Sequence, residues 1–579
     1  MKNNTILKQT GFISFVAIIA SLLWLSSAPD DSTNKQQTRS YIVKSNDSGL
    51  LSSIVSDMSL SPTHELSIIN AIAVPLTAEQ YAQVKANKAL TVTENYQVEL
   101  AGGNAWGKRK WQPRAVVPSA IDADYAHATR NFGDGVTIGF IDTGIDSLPG
   151  TSSDLGLSTD LYGRDKFWGT YDAITNTVSN YSNEESGHGT HVASVAANAD
   201  YDVYGKVYGV APNAAIVGIK AFDSEGKATY ADVIRGIEWA LQVKDKINLR
   251  VLNMSFGGMQ RSYYWEDPLN QAVMKAWQEG IVVVASAGNN GPDPMTIGVP
   301  GNVPYIITVG AMTDSYTELQ TSDDKIATFS AAGPTPAGFV KPDLVAPGGH
   351  VAGLMAFNTQ IVNDHPEYHD GGKYFEMSGT SQAAAVVSGV AALMIAQDPS
   401  LSPDDVKCRL IDSAHTALTS EGKLAYSVFQ QGSGVVNAKD ALSSTASNCA
   451  NQSLNIAKDL AGEEHFYGPA NINEDGNFYV EGLGEEYVWK IDESALSNDA
   501  VIWRLNYDDN PMDWKNMAST DAVIWRLDFE TSAVIWRLNF ETDAVIWRLN
   551  LETDAVIWRL NLDDYEAAPI NINSWVEPQ

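Results

Sequence analysis

"GVTIGFIDTGID" (Gly135–Asp146) decides the fold. It opens as an unbroken apolar run and stops at Asp142, which Thr143 and Gly144 follow. A strand covered by helices on both sides reads as a continuous apolar run, not as an alternation. Four more runs share that character: "AAIVGIKAF" (214–222), "LRVLNMSF" (249–256), "GIVVVASAG" (280–288) and "YIITVGA" (305–311). Between them, "HGTHVASVAANA" (188–199), "YADVIRGIEWALQV" (230–243) and "PLNQAVMKAWQEG" (268–280) carry apolar residues at helical spacing. The alternation predicts an α/β domain over about 119–445, with a mostly parallel central sheet and helices on both faces.

In such sheets ligands gather at the carboxyl ends of the strands, and there this sequence puts its reactive side chains. Asp142 ends a strand. His188 stands between glycines at the start of a helix, and Ser381 lies on a Gly-Thr-Ser turn feeding the apolar helix of "EMSGTSQAAAVVSGVAALMIAQ" (376–397). Acyl transfer needs a Ser activated by an imidazole, an imidazole held in one tautomer by a buried carboxylate, and a donor for the oxyanion. The chain order Asp, His, Ser is one of the known orders of that set. Asn289, on the loop after "VVVASAG", offers the oxyanion donor. His191 lies three residues after His188 with no Glu or Cys nearby to complete a metal site, so it reads as structural.

Together "IDTGID", "HGTHVAS", "NMSFGG", "SAGNNG" and "SGTSQAA" resemble the subtilisin-like serine proteases, in order and over about 119–445, "GVAPNAAIVGIKAF" and "GSGVVNAKDAL" included. The resemblance implies Asp142 as the orienting acid, His188 as general base then acid, Ser381 as nucleophile and Asn289 as oxyanion donor beside the Ser381 N–H. Ser255, Phe256 and Gly257 match the strand that pairs with substrate backbone, and Ala287, Gly288 and Gly298 match other positions of the first specificity pocket. With glycine at the pocket floor, cleavage is expected after Phe, Leu, Tyr or Met. Ala385 stands where the family usually has Pro. No cofactor is required for the chemistry. Asp200 and Asp202 in "NADYDVYGKVYG" fall where related proteases often hold a calcium loop, but the ligand pattern matches poorly. A structural calcium is left open and no metal ligand is assigned.

At 579 residues, the chain has room for more than this one domain. Residues 1–28 read as a signal peptide: Lys2 and Lys8 lead into the 15-residue apolar run "GFISFVAIIASLLWL", then Ser26, Ser27 and Ala28. An uncleaved anchor is the alternative. Residues 38–100 read as a small α+β unit, which the family resemblance makes an inhibitory propeptide, and 101–118, with "GKRKWQPR", as a processing linker. The net charge of −32 lacks the footprint of a nucleic-acid binder. Expected partners are therefore protein or peptide substrates and the propeptide, on a monomer exported to the medium, the periplasm or the cell surface. Cys408 and Cys449, the two cysteines of the chain, would form a disulfide in an oxidising compartment, worth roughly 4 kcal/mol in the chain-entropy model. Two buried thiols are the alternative.

After a connecting region (446–499) comes an eleven-residue repeat over 500–565, then a tail (566–579). The phrase Ala-Val-Ile-Trp-Arg-Leu starts at Ala500, Ala522, Ala533, Ala544 and Ala555, and a degenerate unit holds Trp514 and Lys515. As a strand, Val, Trp and Leu share one face and Ile and Arg the other, so stacked short strands are expected, supplying no nucleophile and open to an unknown binding partner. The full expectation is a secreted serine endopeptidase made as a self-processing zymogen. Its rival is a binding protein whose peptidase domain serves only its own maturation.

Overall fold

Arg39–Lys44 (β1), His64–Leu66 (β2), Ala71–Leu76 (β3) and Thr91–Glu94 (β4) form an antiparallel sheet in the order β2-β3-β1-β4. The computed structural model describes residues 38–489, apart from 46, 101–113, 147–155, 181–183, 316–322 and 485–486, and three short strands beyond, 502–503, 535–537 and 546–548. The signal peptide, most of the processing linker, most of the repeat and the tail lie outside the described residues.

Alternation with period two gives the first sheet two buried faces. Val43, Ile72, Val74 and Leu76 pack with Leu51 and Val84 from the helices Ser48–Asp57 and Ala78–Lys85. Ile42, Leu66, Ala71 and Ala73 point the other way and join the large core of the rest of the chain. Polar contacts fasten the same side: His64 Nε2 lies 2.9 Å from Asp232 Oδ1, Lys44 Nζ donates to Gln271 Oε1 at 2.6 Å, and the Ala231 N–H donates to Asn95 Oδ1 at 2.9 Å. The stretch "TVTENYQVEL" is not one extended piece. Asn95 and Tyr96 interrupt it, and Gln97–Leu100 (β5) leaves the small sheet to run antiparallel to both Lys227–Thr229 and Phe256–Gly257.

The central sheet comprises Thr137–Asp142 (β6), Phe167–Asp172 (β7), Thr177–Ser179 (β8), Ala215–Lys220 (β9), Leu249–Met254 (β11), Val282–Ser286 (β13), Ile307–Thr313 (β14), Lys325–Ile326 (β15) and Leu344–Pro347 (β16); Lys227–Thr229 is β10 and Phe256–Gly257 is β12. Its order is β15-β14-β13-β11-β6-β9-β7-β8, with β16 also on β14. The centre is parallel, while β8 and β15 are antiparallel additions at the margins. The sheet is thus mixed. β7 and β8 escape a search for buried runs because Trp168 and Val178 are exposed on them.

From β6 the chain runs to β7 and β8 on one side and back to β9, then returns past β6 to β11 and on to β13. Crossovers are right-handed, so reversing direction sends the intervening helices to opposite faces. His188–Ala197 packs with Thr380–Gln397, and Tyr230–Ile247 with Pro268–Gln278. The reversal leaves a crevice at the carboxyl ends of β6 and β11.

The stretch after 445 stays on the domain. Cys449 is joined to Cys408 in a disulfide, with Cα atoms 5.1 Å apart. The helix Ile456–Ala461 buries Asp459, which accepts from Tyr264 Oη at 2.6 Å and Tyr305 Oη at 3.0 Å. Phe478, Val480 and Trp489 pack on Val428 and Phe429. Of the repeat, Ile502–Trp503 pairs antiparallel with Ala417–Leu418, and Ile535–Arg537 with Ile546–Arg548, Trp536 opposite Trp547. The rest of the expected strand stack lies outside the described residues.

Candidate active site

Asp142 is the last residue of β6 and His188 the first of its helix, after Gly187 at φ 100°. His188 Nδ1 lies 2.8 Å from Asp142 Oδ1, and neither side chain is more than 1% exposed. The Thr143 N–H also donates to Asp142 Oδ1, at 2.8 Å. Pairing Nδ1 with a carboxylate puts the proton there and leaves Nε2 as the acceptor. That Nε2 is buried and finds no hydrogen-bond partner among the described residues.

Ser381 is the second residue of the helix Thr380–Gln397, and its Oγ donates to the Ser255 carbonyl at 2.9 Å. Ser255 Oγ returns a bond of 2.9 Å to the Ser381 carbonyl. The strand end after β11 and the start of this helix are thereby clasped together. Asn289, on the loop after β13, accepts at Oδ1 from the Thr380 N–H at 3.0 Å and from Thr380 Oγ1 at 2.8 Å. Two donors on one oxygen fix which way the amide faces. Its Nδ2 is buried and without a partner among the described residues, a donor held ready at the N-terminal, electropositive end of the Ser381 helix.

The remaining positions singled out in the sequence also converge. Phe256 and Gly257 form β12, Gly258 pairs with Val299, and the Gly298 N–H donates to the Ala287 carbonyl at 3.1 Å. A Cβ on Gly298 would stand 3.0 Å from the Gly258 carbonyl oxygen, and one on Gly288, at φ 109°, 3.6 Å from Ala331 Cβ. Ala287, Ile297 and Ala331 form a small apolar cluster beside them. The walls are backbone and small side chains. Ala385 sits fully buried inside the Ser381 helix. His191 is locked by contacts to the Phe375 carbonyl at 3.1 Å and Gln382 Nε2 at 3.3 Å, and burial pulls its pKa down to about 3.

Asp200 and Asp202 do not fit a calcium site. Asp202 Oδ1 accepts from the Tyr204 and Lys206 N–H groups at 2.8 and 2.9 Å, and Asp200 pairs with Lys373. The buried Lys166 ammonium bonds the Ala197 and Pro212 carbonyls, bridging the ends of that loop, and burial lowers its pKa to about 7. Among the described residues no group of three or more His, Cys, Asp or Glu is arranged for a metal ion.

Two contacts went unread in the sequence. Thr380 orients Asn289, and Glu184 reaches both the His188 helix and the Asp142 loop. A Thr next to a Ser, and an acid in a polar loop, carry no periodic signal.

Comparison with known proteins adds four findings. The family model described as the subtilase family matches residues 133–438. The chain is 37% identical over 339 residues to serine protease AprX of Bacillus subtilis (strain 168), across 57% of this chain and 72% of that protein. It is 34% identical over 323 residues to subtilisin DY of Bacillus licheniformis, across 55% and 96% respectively. Among solved structures, fervidolysin from Fervidobacterium pennivorans, described as a keratinolytic enzyme related to subtilisin, superposes with a TM-score of 0.56 at 23% identity, over 72% of this chain and 63% of its own. That likeness speaks for the fold alone.

Proposed function

Since the chain belongs to the subtilase family and is a subtilisin-like serine endopeptidase, we propose that it cuts proteins through an acyl-enzyme on Ser381, with His188 as base and Asp142 as its orienting acid. The observation that carries this is the buried 2.8 Å bond from His188 Nδ1 to Asp142, with Nε2 left as an acceptor. Rotation about χ1 lets the Ser381 hydroxyl exchange the Ser255 carbonyl for Nε2. Oγ then attacks the substrate carbonyl, its proton passes to Nε2, and the C–O bond forms as the carbonyl oxygen becomes an oxyanion. Asn289 Nδ2 and the Ser381 N–H donate to that oxygen. Nε2 returns the proton to the leaving amine as the C–N bond breaks, and water repeats the sequence to release the acid. Asp142 keeps Nδ1 protonated and stabilises the imidazolium throughout.

Ser255, Phe256 and Gly257 would pair with substrate backbone, and the pocket of Ala287, Gly288 and Gly298 would take a large apolar side chain. β5 already lies between β10 and β12 as a substrate strand would, with Glu99 opposite both Lys227 and Gly257 and Leu100 opposite Phe256. This supports reading 38–100 as an inhibitory propeptide. Ser255, next to Phe256, holds Ser381, so β5 ends at Leu100 beside the strand that clasps the nucleophile. The first cut is expected at the start of 101–118, before "GKRKWQPR". Export follows from the N-terminal apolar run and suits the Cys408–Cys449 pair. The test is the intact mass of the wild-type protein beside Ser381→Ala, with casein as substrate. Loss of about the first hundred residues and casein digestion in wild type alone support the reading; equal trimming of both, or trimming of neither, overturns the self-processing zymogen.

A further inference from the structure

We propose that Glu184 is a positioning residue for the His188–Asp142 pair: it binds the imidazole's helix and the Asp142 loop into one unit and places a second negative charge behind them. The proposal rests on the reading of His188 and Asp142 given above.

Glu184 precedes His188 by four residues, and both of its oxygens are engaged. Oε1 accepts from the Ser186 and Gly187 N–H groups at 3.0 and 2.9 Å. Oε2 accepts from the Thr190 N–H at 3.2 Å and from Thr143 Oγ1 at 2.9 Å. The first N–H groups of a helix have no partner within it, and Gly187 at the N-cap makes no side-chain bond to them. Glu184 supplies that cap from outside the helix.

The Thr143 hydroxyl makes this more than a cap. It lies 2.9 Å from Glu184 Oε2 and 3.3 Å from Asp142 Oδ1, and it accepts from the Gly189 N–H at 3.0 Å. Three segments therefore meet at one oxygen: the end of β6, the turn at 184–187 and the first turn of the His188 helix. Gly189 is pressed into the same space. A Cβ there would stand 3.1 Å from both Asp142 Oδ1 and Glu184 Oε2, and 2.1 Å from the Gly144 carbonyl oxygen. The residue that follows the imidazole thus lies between two carboxylates.

The charged groups around Glu184 are Asp142, His188 and Lys220 at the end of β9, with Glu185 exposed beside it. The segment 355–363, whose Gln360 and Ile361 N–H groups bond the Glu185 and Ser186 carbonyls over the turn, has no titratable side chain. Burial and then the Asp142 charge push the Glu184 carboxyl up, while the Gly187 N–H and Thr143 hydroxyl pull it down. Ionised, it favours the imidazolium.

Glu184→Gln and Glu184→Asp in the full chain test this, with Ser381→Ala alongside. In Gln the amide NH₂ must face N–H donors on one side or the other, so one half of the clasp opens and the charge is gone. We expect kcat down about 10- to 100-fold with KM within about threefold, and the acid limb of kcat/KM moved to lower pH. Glu184→Asp keeps the charge with a shorter reach: kcat falls roughly 3- to 10-fold and the acid limb stays put. If Gln does not fold, the Asp variant decides, and slowed self-cleavage read by intact mass counts as the same loss. A Gln variant within twofold in kcat with an unmoved acid limb and only a lower Tm, or an Asp variant with full kcat, overturns the proposal and leaves Glu184 a helix cap. Activity surviving in Ser381→Ala refutes the underlying reading instead.

Discussion

Replacing Asn289 by Ala removes two things that the structure keeps on opposite ends of one amide. The Oδ1 end holds Thr380 through bonds of 3.0 and 2.8 Å, and the Nδ2 end is buried without a partner. The first loss is felt in the resting enzyme. Leaving the buried Thr380 N–H unsatisfied costs about 1–3 kcal/mol of stability. The second is felt only when an oxyanion forms. A preorganised donor of this kind is worth ~3–4 kcal/mol, a range that rests in part on subtilisin itself, or 10²–10³ in kcat. The two are separated by measuring kcat and KM on a peptide anilide and Tm on the same samples. We expect kcat to fall about 10²- to 10³-fold with KM within roughly threefold, because a donor used only in the transition state leaves substrate binding alone. A kcat within tenfold of wild type in a folded variant, or a rise in KM alone, would refute the assignment of Nδ2 to the oxyanion.

Asp142→Asn should lower kcat by about 10⁴ at neutral pH with little change in fold, since the amide can hold His188 in the wrong tautomer; equal kcat at pH 7 rejects Asp142 as the orienting acid. Gly298→Val should transfer preference from Phe to Ala at the cleaved position, by about 10- to 200-fold in the kcat/KM ratio, because its Cβ already meets the Gly258 carbonyl at 3.0 Å. An unchanged ratio across a panel of anilides counts against the pocket. Burial, then the charges of Asp314 and Asp323, raise the Asp324 carboxyl to about 7. A carboxyl raised above its unfolded value, ~3.9, stabilises the fold less as pH climbs from about 4 through 7. Asp324→Asn should therefore raise Tm at pH 8 and leave it unchanged at pH 4; a constant difference across that window contradicts the shift.

The candidate site groups were legible because they sit at the ends of buried apolar runs or at the starts of helices. Asp142 ends β6, and Ser255 and Asn289 sit just beyond β11 and β13, strands that read as continuous hydrophobic stretches, and continuity survives in the sequence. The marginal strands were not legible. Exposed Trp168 and Val178 break the pattern, and β8 is held by pairing with β7 rather than by burial. The sheet that β5 joins was not legible, because nothing in "NYQVEL" says which edge its backbone will meet. Glu184 was missed for a related reason: its partners are backbone N–H groups, which every residue owns. Asp200 and Asp202 fall where related proteases often hold a calcium loop, but their oxygens turn to the Tyr204 and Lys206 N–H groups and to Lys373, contacts that sequence position does not reveal.

The C-terminal border of the folded unit has a practical meaning. A chain shortened to about 445 would strip Cys408 of its partner, free Tyr264 and Tyr305 from Asp459, and bare Phe429 where Phe478 and Trp489 now lie. Any natural shedding of the repeat that leaves a durable enzyme must therefore stop on the far side of Trp489. The mass of the surviving fragment is a ruler for that boundary, because a product ending near residue 490 has lost the repeat, with the Ile502–Trp503 strand on Ala417–Leu418, while one ending before 449 has been opened at the seam.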